Sequence, residues 1–128
     1  MAEFPAAWSK LLSLARKEVE AILRAMPAEL REQVAQVPVT MEPQPGADLL
    51  ADGVEADTLG LFVGEAFPDS QAGGAQLPAQ VILFLQNIWD FAEGDETAFR
   101  EEIRITLLHE WGHYLGLDEI DLEDRGLD

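Results

Sequence analysis

A chain of 128 residues, 48% hydrophobic, supplies one small core and leaves no room for a second catalytic domain. It has no cysteine, which excludes a disulfide scaffold and any thiolate ligand, so a metal would have to be held by histidine and carboxylate. A net charge of −17 repels phosphate backbones and argues against nucleic-acid binding.

The charge is unevenly spread. Residues 1–31 hold five basic and four acidic side chains, whereas Glu32 to Phe99 hold twelve acids and no Lys or Arg. The plain reading is a solvated acidic face, and the sharper one is attraction of cationic substrates or partners.

Pro5 to Ala25 has the pattern of an amphipathic helix: Trp8, Leu11, Leu12, Ala15, Val19, Ile22 and Leu23 recur at the spacing of one buried stripe. Its charges, including Lys10, Arg16, Lys17 and Glu20, do not follow the charged-then-apolar order of a secretory signal. No apolar run approaches the roughly 20 residues of a membrane span. A cytoplasmic location and no membrane contact are therefore the expectation.

Pro27 fits the first turn of a short helix over Ala28 to Ala35. Val37 to Glu42 alternates and is β-branched, with Pro38 placing it at a sheet edge or at the strand's beginning. Pro43 to Glu55, rich in Pro, Gly and Asp, is expected as a surface loop. Thr58 to Val63 reads as a second strand, ended by Gly64, and Ala66 to Pro78 as a loop forming a flexible rim over a cleft. Gln80 to Leu85 is almost unbroken in apolarity and should be the middle strand, covered on both faces. Asn87 to Ala92 suggests a turn of helix.

A final helix is expected from an N-cap at Asp95 or Thr97 to about Leu115, with Gly116 as its left-handed stop. Phe99, Ile103, Leu107 and Trp111 form one stripe, and Ile105, Leu108 and Leu115 make the other flank apolar, as suits a central helix.

That helix carries His109-Glu110-Trp111-Gly112-His113, followed by Gly116, Asp118 and Glu119, in the pattern H-E-x-x-H-x-x-G-x-x-E. Histidines at i and i+4 lie one turn apart and direct their imidazoles at one point, as a tetrahedral Zn²⁺ requires. Glu110, about 100° further round, suits a carboxylate that handles the proton of a metal-bound water without ligating the metal. The bland alternative is a pair of half-buried histidines hydrogen-bonded to nearby acids. A glycine turn after the helix lets the chain bring a third ligand to the metal, with Asp118, Glu119 and Asp121 as candidates.

The motif resembles the zincin metallopeptidases whose third ligand follows at the H-x-x-G-x-x-[HDE] position. With the N-terminal helix, the helix after Pro27 and the strands around Leu59–Val63 and Val81–Leu85, most of the chain resembles the small bacterial zincin-like metallopeptidases. The resemblance implies an α+β minimal zincin-like fold: a small three-stranded mixed sheet packed against an N-terminal helix and a central HExxH helix, in one domain over 1–128. It implies Zn²⁺ held by His109, His113 and Glu119, with Glu110 as the catalytic base. The expected substrate is an extended peptide or protein segment that pairs with the edge strand, for which Thr58 to Val63 is the candidate. No Met follows Glu119 in the nine residues to Asp128, so the methionine turn of metzincins is not expected. Tyr114, Arg100 and Arg104 all fall away from the metal face, so no side chain is assigned to the oxyanion. Two other readings stay open: a non-catalytic module in which zinc staples the fold, and a metal-dependent endoribonuclease, whose H-x-x-x-H-x-x-G-x-D-H outline is only partly met.

Overall fold

The computed structural model describes residues 8–64 and 79–115. Along them run α1 (Trp8–Ala25), α2 (Ala28–Val34), β1 (Val39–Glu42), α3 (Ala47–Ala51), β2 (Gly60–Val63), β3 (Gln80–Phe84), α4 (Leu85–Phe91) and α5 (Glu96–Leu115). Helices and a small mixed sheet make an α+β fold, as expected. The start of the first helix at Pro5, the rim at Ala66 to Pro78 and the stop at Gly116 lie outside the described residues.

The sheet has the order β1-β3-β2, with the most apolar strand in the middle. β1 is parallel to β3, with Val39 opposite Val81, and β2 is antiparallel to it, with Gly60 opposite Leu83. Among the described residues both flanking strands are therefore edges. Pro38 stands just before β1, where its missing N–H costs nothing and its carbonyl accepts from Val81 N at 3.0 Å.

Strand alternation sends Val81 and Leu83 into the core, where both are fully buried. Among the described residues the other face is not sealed in the same way. Ile82 is half-buried and, with Thr40, Glu42 and Gln80, lines a hollow beside α3. That five-residue helix occupies part of the expected Pro43–Glu55 loop. The apolar run at 80–85 also changes conformation earlier than expected, because Leu85 opens α4 rather than closing β3.

One hydrophobic cluster joins α1, the sheet and α5, through Leu11, Ala15, Leu83, Phe99, Ile103 and Leu107 among others. Burial of such side chains contributes on the order of 1.5–3 kcal/mol each. Arg31 of α2 donates from Nε to the Leu23 carbonyl and from Nη2 to that of Met26, both at 2.9 Å, adding donors to carbonyls at the end of α1. At the far end of α1, Lys10 pairs with Glu96 at 3.1 Å and lies over the Trp89 ring. Trp89 in turn meets Phe99 edge-on at 5.4 Å. α1 is thus tied to α2 at its C-terminal end and to the start of α5 at its other end.

Candidate metal centre

α5 is the scaffold of the site. Asp95 caps it, its Oδ2 accepting from Ala98 N at 2.7 Å, as its position before the helix predicts. At 100° per residue, Phe99, Ile103, Leu107 and Tyr114 fall on the face packed into the core. Glu102, Ile105, Thr106, His109 and His113 fall on an adjoining face, and Glu110 lies at the border between the two. Burial follows this geometry. The Glu110 side chain is 12% exposed and that of His113 is 51% exposed. Ile105, assigned to an apolar flank, is instead 47% exposed.

The structure brings His109, Glu110 and His113 together. One ligand-capable atom from each lies within 4.8 Å of the others, so the group can hold a metal ion. The two imidazole rings stand 4.4 Å apart at 65°, and His113 Nδ1 lies 3.5 Å from Glu110 Oε1. Two imidazole nitrogens, with no thiolate, are donors that suit zinc, and the Glu110 carboxylate stands beside them. Glu119, with its alternatives Asp118 and Asp121, lies outside the described residues.

Beside these groups is an open hollow of about 260 Å³, lined by Leu59, Gly60, Glu102, Ile105, Thr106, His109 and Glu110. Its wall opposite the helix is the start of β2, which lies very close. A Cβ on Gly60 would fall 2.5 Å from Thr106 Cγ2, so glycine is what allows the strand to rest against the turn preceding His109. Leu59 accepts from Phe84 N at 2.9 Å. By the alternation of an antiparallel ladder, Leu59, Leu61 and Val63 face β3, while Gly60 and Phe62 turn their N–H and C=O groups to the outer edge. Tyr114 is buried, its ring 5.7 Å from that of Phe62, under the strand rather than on the histidine face.

Two residues that motif reading passed over emerge here. Asn87, at the head of α4, donates from Nδ2 to the carbonyls of Ala56 at 2.8 Å and Thr58 at 2.9 Å, fastening the segment that feeds β2. Glu102 lies seven residues before His109 on the same face, and this i, i+7 relation was available in the sequence. Burial first, and then the charge of Glu101, raise its carboxyl above the usual range.

A family model described as zincin-like metallopeptidase matches residues 16–127. No curated protein matches the chain.

Proposed function

The chain belongs to the zincin-like metallopeptidase family, and from that premise we propose that it is a zinc-dependent peptidase acting on extended polypeptide segments. One observation carries the reading. Two imidazoles and a carboxylate converge on α5, directly beside a strand whose outer edge is unpaired among the described residues.

In this proposal His109 and His113 hold the metal and Glu119, which falls within the span of the family match, supplies the third ligand. A zinc ion bound there supplies a Lewis acid that acidifies a water and draws charge from a carbonyl oxygen. Glu110 takes the proton of the attacking water and passes it to the leaving amine, so that one carboxylate serves as base and then as acid. Its position at the border of core and hollow keeps the carboxylate away from bulk water while leaving it next to His113. The outward N–H and C=O groups of Gly60 and Phe62 align an extended substrate by strand addition. The hollow is open rather than enclosed, which suits a flexible polypeptide better than a small metabolite. A cytoplasmic site of action is part of the same proposal. Among the described residues no helix is long and apolar enough to cross a membrane.

Metal dependence tests this directly. Cleavage of an unstructured protein should disappear on chelation and return with stoichiometric zinc. Cleavage that persists in a His109→Ala, His113→Ala double variant would contradict it.

A further inference from the structure

Glu102 is not needed to hold a metal or to move a proton, yet it lies in the hollow with the groups that do. The rest of that wall is apolar or small. Ile105 is 47% exposed, Leu59 lines the hollow with it, and Gly60 adds no side chain. Glu110 also lines the hollow, beside the histidines, so Glu102 is the carboxylate at the end away from them. An apolar stretch that leads to it is complementary to a side chain with a hydrocarbon stem and a cationic tip.

The reach agrees. Seven residues of helix place the Glu102 backbone about 10 Å along the axis from His109. The four-carbon stem of a lysine spans about 6 Å beyond its Cα, and a carboxylate–ammonium contact adds about 3 Å. A residue flanking a peptide bond held at the histidines would therefore set its cation at Glu102. The raised carboxyl of Glu102 agrees with this, because an anion that burial disfavours gains most when a cation arrives. The segment that supplies β2 carries the same sign, with no Lys or Arg between Glu32 and Phe99.

We propose that Glu102 is a specificity-determining residue, and that the hollow between α5 and the start of β2 is a subsite for a lysine or arginine side chain of the substrate. This deepens the peptidase reading and takes its polypeptide substrate from it. Ile105 and Leu59 cover the stem, and Glu102 pairs with the head.

Binding tests it separately from cleavage. Zinc-loaded Glu110→Gln protein is titrated with three matched unstructured peptides that differ only in a central Lys, Leu or Glu. The lysine peptide should bind about fivefold more tightly than the leucine peptide, and the glutamate peptide more weakly than either. Adding Glu102→Gln should erase the lysine preference, and adding Glu102→Lys should transfer it to the glutamate peptide. Adding Glu101→Gln, an equal change of charge on the neighbouring residue, should leave the preference in place. Equal or absent binding of the three peptides, or a lysine preference that survives Glu102→Gln, overturns the inference. Selective binding by a wild-type protein that cleaves none of the peptides would uphold the subsite and overturn the peptidase reading.

Discussion

Glu102 and Glu110 stand eight residues apart on neighbouring faces of α5, and the fold gives their carboxylates different surroundings. Glu110 is buried, with His113 3.5 Å away. Glu102 is half-buried, with Glu101 as a like-charged neighbour, and its carboxyl is raised by desolvation first and by Glu101 second. A raised value means that the folded chain binds this proton more tightly than the unfolded chain does. The resulting stabilisation is complete below the ordinary carboxylate range and is lost as the pH rises through the raised value. At neutral pH the ionised Glu102 therefore works against folding. Glu102→Gln should stabilise the protein at pH 7 by less than about 1 kcal/mol, since the group is partly solvated. In melts taken across pH, the gain should vanish below the ordinary carboxylate range. A gain that grows toward low pH would contradict this account. A residue kept where it weakens the fold is consistent with one kept for binding.

Among the elements, β2 depends most on others for its place. Asn87 uses both amide hydrogens on the carbonyls of Ala56 and Thr58 and accepts from Gln44 at 3.3 Å, so a single side chain ties the approach to β2 onto α4. Asn87→Ala removes the donors from two carbonyls and should cost about 1–3 kcal/mol in urea unfolding. Asn87→Asp should cost more, because a carboxylate facing two carbonyls repels where the amide donated. Equal stability of Asn87→Asp and wild type would remove Asn87 from this role. The same elements show what a sequence discloses. The stripes of α1 and α5 and the converging histidines follow from spacing, the middle position of β3 follows from its unbroken apolarity, and each is found. The helix at Ala47–Ala51 was hidden because Pro, Gly and Asp around it signal a loop, while its bonds are purely backbone ones such as Leu50 N to Gly46 O at 3.1 Å. The strand-to-helix change at Leu85 was hidden because continuous apolarity has no period to read. Asn87 and Glu102 were hidden for a third reason. A polar residue in a helix reads as solvated until its neighbours from distant strands are known.

For the whole molecule, the dominant quantity is the net charge of −17 on 128 residues, with basic side chains concentrated in residues 1–31. Self-repulsion of this size works against the compact state and is screened over about 10 Å at 0.1 M salt. Thermal stability should therefore rise as sodium chloride is raised from about 0.01 M to about 0.15 M, and a fall would show that attractive pairs such as Lys10–Glu96 outweigh the repulsion. The same field favours approach of cationic segments, which agrees with a lysine- or arginine-selecting hollow beside the histidines. The central claim, that the His109, Glu110 and His113 group is a hydrolytic zinc centre, is tested most directly by comparing wild type with Glu110→Gln for bound zinc and for cleavage of an unstructured protein. Both proteins should hold zinc to the same stoichiometry while the variant loses at least about 100-fold in cleavage rate. Equal cleavage by the two proteins, or zinc bound by a wild type that cleaves nothing, would contradict it.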